Sequence, residues 1–342
     1  MAEQLKIKNV VLNEDAKLKD VPSGVEAATL CDQSAAPEYT KNSINCKKMT
    51  WILEDTPRIE LDFGEDHKKF KFQVASSDFD LFRTAKDFKF ERTETDTIFT
   101  IKKTERNPSS RMSILEEYTR KYLNLLQVEK FEVRFNELLK YDFFECFIWK
   151  ITRKFSSIYY SSHHDVTFTP GQLRFLLEDL TAENFRLPRI KYTDVIKAGE
   201  KNVEPIKHEN MNIHAEFLPF DYFLKMESKI ALIHTDNTKM SNLNGFIKTW
   251  IKGQQLKNLQ SFSMRFWKLK ENLTVDEVFQ GIVPIEPVSE LNVTDLMNPE
   301  RHAAKNSEIV VSRITDGMTA TATLRKNMFT FVVNSEDDNA FE

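Results

Sequence analysis

The side chains that could carry chemistry in this chain are a few histidines and a cysteine, and they are scattered. His163 and His164 are adjacent, His208 and His214 lie further along, and Cys146 lies in an apolar stretch. Adjacent residues of a strand point to opposite faces, so His163 and His164 would not easily chelate one metal ion. We interpret this pair as loop residues, and Cys146 as a buried hydrophobic residue rather than a nucleophile. The sequence predicts no catalytic residue and no metal site.

The motifs that bind nucleotides or build hydrolytic sites are missing from the sequence. It has no Gly-x-Gly-x-x-Gly run, no Gly-x4-Gly-Lys-Ser/Thr phosphate loop and no Gly-x-Ser-x-Gly turn. The 8 glycines are dispersed along the chain. We therefore expect no cofactor and no enzyme. A hydrolase or transferase whose site is assembled from distant residues remains an alternative that no motif supports.

Composition bounds the class of protein and its partners. The chain has 342 residues, of which 41% are hydrophobic and 29% charged, with a net charge of −4. This balance is typical of a globular protein and gives no reason to expect nucleic-acid or anionic-membrane partners. The three widely spaced cysteines do not form a disulfide framework. No apolar run approaches the roughly 20 residues of a membrane span, and the N-terminus lacks the apolar core of a signal peptide. We expect a chain of the cytoplasm or the nucleus.

The region around residue 245 has the clearest local pattern. A β-type run over 230–235 precedes Ser241, which we predict to be the N-cap of a helix. The helix then carries apolar residues at the spacing of one face, and Gly253 is predicted to end it in the left-handed conformation. Alternation over 262–266 indicates a half-buried strand. The apolar positions of the helix are Leu243, Phe246, Ile247, Trp250 and Ile251.

The chain before this region divides by its periodicity. Residues 1–50 are polar and unpatterned, which favours a disordered leader. Over 51–110, alternating runs around short turns predict an antiparallel β unit. From 111 the rhythm changes to helix and strand. Ser113 is predicted to cap one helix, and 138–155 is predicted to form a long amphipathic one.

Strand and helix signals repeat over 111–334 at intervals of roughly 20 to 30 residues, the range of solenoid repeats. A third helix is predicted to start at Thr169-Pro170. Three short strands then close the region, with a hairpin turn at Asp316-Gly317. The predicted fold is mixed α/β (α+β): the β unit, a degenerate leucine-rich-repeat-like α/β solenoid with a parallel sheet, and a C-terminal β-meander cap. Residues 335–342 form an acidic tail.

Two motifs in this order resemble one known family. The first comprises Leu243, Asn244, Phe246, Lys248, Trp250, Ile251 and Gly253, followed by Leu256 and Leu259. The second is Arg313-Ile-Thr-Asp-Gly317, followed by Ala320, Thr321, Phe329 and Phe331. Together they are similar to the nematode F-box-associated domain, type 2, over roughly residues 111–333. We interpret the motif residues Leu243, Asn244, Phe246, Trp250, Gly253, Arg313, Asp316 and Gly317 as structural.

The resemblance implies a protein-binding module, the substrate-recognition part of a cullin-based ubiquitin ligase. In that family an F-box docks onto a Skp-type adaptor, and the associated domain holds the target protein. No F-box opening is recognisable in residues 1–50, so this stretch is either a disordered leader or a degenerate F-box remnant. An orphan interaction domain without ligase function is the alternative for the chain as a whole. The sequence points to no contact residue, because binding in solenoids depends on surface residues of one face.

Overall fold

The chain was described from a computed structural model. The described residues are 44–54, 56–64, 69–76, 88–92, 96–103, 108–135, 143–160, 167–187, 191–196, 204–235, 238–266, 275–285, 289–291, 306–325 and 327–334. The predictions for residues 1–43, for the pair His163-His164 and for the tail 335–342 lie outside them. The chain divides into two compact units, Met1–His163 and His164–Glu342, which are described separately.

The first unit is a mixed sheet with helices. Its elements are β1 (Ile44–Leu53), β2 (Arg58–Asp62), β3 (Lys69–Ser76), β4 (Phe88–Arg92), β5 (Asp96–Lys103), α1 (Pro108–Leu125), β6 (Leu126–Phe135), α2 (Phe147–Ile151) and β7 (Lys154–Tyr160). The strands are hydrogen-bonded in the order β7-β6-β1-β2-β3-β5-β4. Strand β1 pairs with β2 on one side and β6 on the other, so positions 44–50 of the predicted leader belong to the sheet.

The predicted hairpins of this unit are confirmed, but the prediction of an entirely antiparallel sheet is wrong. β2 pairs antiparallel with β3, and β4 pairs antiparallel with β5. β5, however, lies between β3 and β4, and it runs parallel to β3. The chain therefore crosses over between the two hairpins instead of continuing as a meander. Sequence alternation cannot distinguish these two arrangements, because both bury every second residue.

Aromatic contacts attach α1 to the sheet of the first unit. Tyr118 stacks on Phe72 with the ring centroids 4.1 Å apart, and Tyr122 is fully buried nearby. The indole Nε1 of Trp51 donates to Thr119 Oγ1 at 3.1 Å. These contacts explain why β2 and β3 bury alternate residues, since the helix covers only one face of a sheet.

Two helix predictions in this unit are wrong. Helix α1 begins at Pro108, so Ser113 lies inside it and is not an N-cap. Within 143–155, the described part of the predicted long helix, only Phe147–Ile151 is helical, because the backbone is non-helical at Cys146 (ψ 126°) and extended at Thr152. Phe144, an apolar residue within the predicted helix, is 48% exposed. Residues 138–142 lie outside the described residues.

The second unit contains both sequence motifs. Its elements are β8 (Thr167–Phe168), α3 (Pro170–Arg174) with a π-helical turn (Phe175–Asp179), β9 (Thr181–Leu187), β10 (Lys191–Tyr192), β11 (Asn210–His214), α4 (Asp221–Leu224), β12 (Ile230–His234), α5 (Met240–Lys252), β13 (Ser261–Arg265), α6 (Val275–Val278), β14 (Ser289–Leu291), β15 (Asn306–Ser312), β16 (Thr319–Arg325) and β17 (Met328–Val333). The predicted helix start at Thr169-Pro170 is confirmed, since Pro170 is the first helical residue and the Thr169 hydroxyl accepts from the backbone N–H of Gln172.

The sheet of the second unit has a parallel half and an antiparallel half. β9, β11, β12 and β13 are parallel neighbours in chain order. β17 pairs antiparallel with β13, and β16, β15 and β14 continue that half. The predicted meander over the last three strands is therefore confirmed, and Gly317 (φ +74°) lies in its turn. Within each unit, the described chain is a mixed α/β structure with much strand and few helices.

Burial alternates along the central strands of this sheet. The residues on the buried face, which we call the back face, are Met211, Ile213, Ala231, Ile233, Phe262, Met264, Ala320, Ala322, Phe329 and Phe331. Helix α5 packs on the back face, where Phe246 stacks on Phe262 at 4.4 Å. The intervening residues therefore point to the opposite side of the sheet.

Candidate interaction face

The motif residues of helix α5 lie in the core behind the sheet. Leu243, Phe246 and Trp250 are completely buried, as their helical spacing predicts. Trp250 meets Phe331 edge-on, with the centroids 5.0 Å apart. Gly253 ends the helix in the left-handed conformation (φ +69°), as predicted. The predicted N-cap is wrong, because the helix begins one residue before Ser241 and its cap position has no side-chain hydrogen bond.

Arg313 of the second motif lies against the first. Its guanidinium lies over the Trp250 ring, 5.1 Å from the centroid, and it is only 4% exposed. The Nε and Nη2 atoms donate to both carboxylate oxygens of Asp316 at 2.6–3.0 Å. The Nη1 atom donates to the backbone oxygen of Lys257 at 3.4 Å. The hydrogen bond from Arg313 lowers the pKa of the Asp316 carboxyl group.

The two motifs also meet through their backbones. The N–H of Ile314 donates to the oxygen of Ile251 at 2.8 Å. The N–H of Gly317 donates to the oxygen of Arg313 at 2.9 Å and closes the turn. Segments about sixty residues apart in the sequence are thus joined by the contact of Arg313 with Trp250, its hydrogen bond to Lys257 and a backbone hydrogen bond. The ion pair between Arg313 and Asp316 fixes the turn of the second motif itself. The geometry accounts for these residue types without any ligand.

Asn244 connects helix α5 to the segment after β13. Its amide Nδ2 donates to the backbone oxygens of Val278 at 2.8 Å and Gln280 at 2.9 Å. These two partners lie 34 and 36 residues away from Asn244 in the sequence. Each motif residue named so far therefore acts behind the sheet or at its turn.

The opposite side of the sheet is where a partner can make contact. We call it the open face and define it by three rows of strand neighbours. The amino-end row is Asn184, Asn210, Ile230, Ser261, Val332, Thr321 and Val310. The middle row is Arg186, Asn212, Leu232, Ser263, Thr330, Thr323 and Glu308, and the carboxyl-end row is His214, His234, Arg265, Met328 and Arg325.

Nearly all of these side chains are half-buried or exposed, in contrast to the back face. The middle row is rich in short polar side chains but also contains Arg186, and the carboxyl-end row carries two histidines and two arginines. In a parallel sheet, loops and side chains at the carboxyl ends of strands commonly form binding sites. The open face is therefore the surface of this unit best arranged to bind a partner.

The basic side chains at one end of the carboxyl-end row are register neighbours. His214 and His234 are register neighbours, and His234 is the register neighbour of Arg265. Burial lowers the pKa of His234, and the nearby charges of Arg265 and His214 lower it further. His214 Nε2 lies 3.2 Å from Glu216 Oε1, and the Tyr192 hydroxyl donates to the same carboxylate at 3.2 Å. One end of the row thus has a carboxylate partner.

Sequence reasoning missed the open-face residues. Their signal was present, since they occupy the positions between core residues in strands that were correctly predicted. What the sequence did not supply is the register that aligns them. Ser261 is an ordinary polar residue until pairing places it between Ile230 and Val332.

The titratable core groups of the described chain do not form a catalytic arrangement. Burial raises the pKa of Cys46 to about 12 and that of Cys146 to about 11, which removes thiolate character. His208 is buried, stacked on Phe185 at 3.8 Å, and burial lowers its pKa to about 4. Within the described ranges, no group of three or more His, Cys, Asp or Glu residues could hold a metal ion. No helix found there is long and apolar enough to cross a membrane.

Comparison with known families gives one match. Residues 201–264 match the family model described as F-box associated. This segment runs from before β11 nearly to the end of β13, so it includes helix α5 and part of the open face. The expected F-box-associated domain is confirmed there, and the second motif at Arg313 lies beyond the match. The searches of curated proteins and of solved structures found no match.

Proposed function

We propose that the second unit is a protein-binding module and that the open face is its binding surface. The observation that carries this proposal is the separation of roles between the two sides of the sheet. The motif residues make internal contacts behind the sheet or at its turn. The other side of the sheet has aligned rows of accessible side chains. An F-box-associated segment implies protein partners in general. Catalysis is not part of the proposal.

The parallel half of the sheet supports a repeat architecture. Its strands begin at Thr181, Asn210, Ile230 and Ser261, with spacings of 20 to 31 residues. They are parallel, adjacent in chain order and aligned in register. We propose that they are degenerate repeats of an α/β solenoid, with the antiparallel strands β17 to β14 extending the sheet beyond the last repeat. Solenoids commonly bind other macromolecules through such a strand face.

The more specific proposal is that the chain selects targets for a cullin-based ubiquitin ligase. The match to an F-box-associated family supports it, because that domain is named for its association with F-boxes. Adaptor binding would then depend on residues ahead of β1. A location in the cytoplasm or nucleus belongs to the same proposal. An interaction domain without ligase function is the alternative.

Photo-crosslinking tests the binding face. A photoreactive amino acid at Ser263, in the middle of the open face, is compared with one at Asn258, which is exposed in the connection from α5 to β13. We expect a discrete cellular protein to crosslink from position 263 but not from position 258. An excess of chain without the photoreactive residue should compete for the partner and reduce crosslinking. As this competitor, the Ser263→Arg variant should be poor and the Asn258→Arg variant fully effective. Equal crosslinking from both positions would contradict the proposed face.

Adaptor binding is tested separately with a deletion that leaves the sheet intact. Because β1 begins at Ile44 and pairs with both β2 and β6, the deletion must stop at residue 43. We expect a Skp-type adaptor to be retained by the full chain and lost from the chain that starts at residue 44. If neither retains the adaptor while crosslinking at position 263 persists, the module acts without a ligase.

A further inference from the structure

The open face differs in chemistry between its two ends. In the amino-end row, Ile230 and Val332 are each 45% exposed, although both are large aliphatic side chains. They are register neighbours of Ser261 from opposite sides. A serine between two aliphatic side chains leaves a shallow apolar notch. The amino end therefore suits an apolar side chain of a partner.

The carboxyl end of the same face is cationic. Arg265 and Arg325 are exposed, and both are register neighbours of Met328. In the part of the chain described by the structure, neither guanidinium forms an ion pair or a side-chain hydrogen bond. Exposed arginines without acidic partners are available to bind carboxylates in the two-pronged geometry that guanidinium favours. His234 and His214 extend the row on the other side of Arg265.

Four strand positions separate the apolar end from the cationic end, as Ser261 and Arg265 show on β13. At about 3.3 Å per residue this separation is about 13 Å. An extended peptide has the same repeat, so its side chains at positions i and i+4 point the same way at the same distance. Position i+2 would lie above Ser263 and Thr330, whose short side chains leave space. The face thus fits an extended segment aligned with the strands.

We propose that the open face binds an extended acidic segment of a protein partner, with an aliphatic residue and an Asp or Glu four positions apart. The aliphatic side chain lies between Ile230 and Val332, and the carboxylate lies between Arg265 and Arg325. This inference rests on the proposed function and adds the chemistry of the partner. A nucleic acid fits less well, because the amino end offers an apolar notch to a chain that is charged at every step, and Glu308 lies in the middle row.

Selection of random 12-residue peptides displayed on phage tests this specificity. The native chain should enrich peptides with an aliphatic residue and an acid four positions apart. For the double variant Arg265→Glu/Arg325→Glu, the Kd for a selected peptide should rise by about tenfold or more, as expected when charge-assisted contacts are lost. The matched variant Lys225→Glu/Lys257→Glu makes the same change in net charge at exposed positions off the strands, and it should bind like the native chain.

Folding controls and alternative ligands complete the test. Both double variants should unfold at similar urea concentrations, since all four residues are exposed. Val332→Lys should remove the aliphatic preference but keep the acidic one. Substituting Gln for the acid of a selected peptide should weaken binding as much as the Arg265→Glu/Arg325→Glu variant does.

Three outcomes would overturn the inference. The selected peptides could show no acid four positions from an aliphatic residue and yet fail to bind the Ser263→Arg variant. That result would support the proposed binding face but contradict the proposed chemistry of the partner. Binding that requires phosphoserine in place of the acid, or an oligothymidine probe that competes for the arginines, would identify a different occupant. Self-association abolished by Arg265→Glu/Arg325→Glu would assign the face to a second copy of the chain.

Discussion

Thr315 occupies the space into which a side chain on Gly253 would project. A Cβ built on Gly253 would lie 2.1 Å from Thr315 Oγ1 and 2.9 Å from Thr315 Cβ. Gly253 also has φ +69°, where residues with a Cβ are strained. The glycine therefore serves two purposes, ending helix α5 and admitting the Arg313–Gly317 turn.

We expect Gly253→Ala to lower the free energy of unfolding by at least about 2 kcal/mol, from backbone strain and overpacking together. Urea denaturation measures the loss. Adding Thr315→Gly should recover the part due to the clash and leave the part due to φ. If Gly253→Ala alone changes stability by less than the error of the measurement, the close approach of the two motifs is wrong.

Two other glycines provide matched controls. Gly317 has φ +74° but open space around its Cβ position, so Gly317→Ala should show only the backbone cost, about 1 kcal/mol. Gly245 lies within helix α5 with nothing near its Cβ position, so Gly245→Ala should stabilise the protein by about 0.5–1 kcal/mol. From the most to the least stable, the order should be Gly245→Ala, the native protein, Gly317→Ala and Gly253→Ala.

Arg313 should not tolerate lysine. Arg313→Lys keeps the positive charge but cannot make the two-pronged contact with Asp316, lie over the Trp250 ring and reach Lys257 O at once. We expect a loss of about 2 kcal/mol in urea denaturation, together with a changed fluorescence of Trp250. Arg120→Lys is the control, because Arg120 is exposed and pairs with Glu116 one helical turn away. Equal effects of the two substitutions would show that Arg313 is an ordinary surface cation.

The first motif shows how far local sequence reasoning reaches. The spacing of Leu243, Phe246 and Trp250 predicted the buried stripe, and Gly253 predicted the end of the helix, since both depend on local geometry. The start of the helix was misplaced at Ser241, because the helix begins one residue earlier and its cap position makes no side-chain hydrogen bond that the sequence could signal. The contact between Gly253 and Thr315 depends on the path of the chain through three strands, which no local pattern contains.

The wrong helix over 138–155 illustrates the opposite case. Its apolar residues have helical spacing, but the buried indole of Trp149 donates to the backbone oxygen of Phe143 at 2.7 Å, and residues 143–145 form a turn. Phe155 is buried in strand β7 instead of on the helix face. Short apolar runs fit either element, and tertiary contacts decide between them. The open face was missed for a related reason, since register is a tertiary property.

Asn244 should fix the segment Val275–Val278 and the residues that follow it. Asn244→Ala removes two donated hydrogen bonds and should increase amide hydrogen exchange at Phe279 and Ile282, whose N–H groups bond within this segment. Asn244→Asp should be worse at neutral pH, because a carboxylate cannot donate and would face two carbonyl oxygens. Amides of β16 and β17 provide the internal reference. Unchanged exchange at Phe279 in both variants would show that these bonds do not hold the segment.

His208 should make the second unit sensitive to mild acid. Its Nε2 lies 2.9 Å from the backbone oxygen of Leu176, which can only accept, so Nε2 carries the proton. Protonation would then place a charge on buried Nδ1, which has no hydrogen-bond partner. With a folded pKa of about 4 against 6.5 when unfolded, the unfolded chain binds the extra proton first. Stability should therefore fall as the pH drops from about 6.5 to about 4, and this contribution should be constant below that.

The loss over this range should be about 3 kcal/mol for one group with such a shift. Urea midpoints measured at pH 7.5, 6, 5 and 4.5 give the native slope, to which carboxylates also contribute. His208→Phe keeps a ring against Phe185 and cannot titrate, so the difference between the two slopes isolates the histidine. The variant loses the hydrogen bond to Leu176 and should be less stable at pH 7.5. Its free energy of unfolding should nevertheless fall less on acidification than that of the native protein. Parallel slopes for the two proteins would mean that His208 is hydrated, and not enclosed, in the folded state.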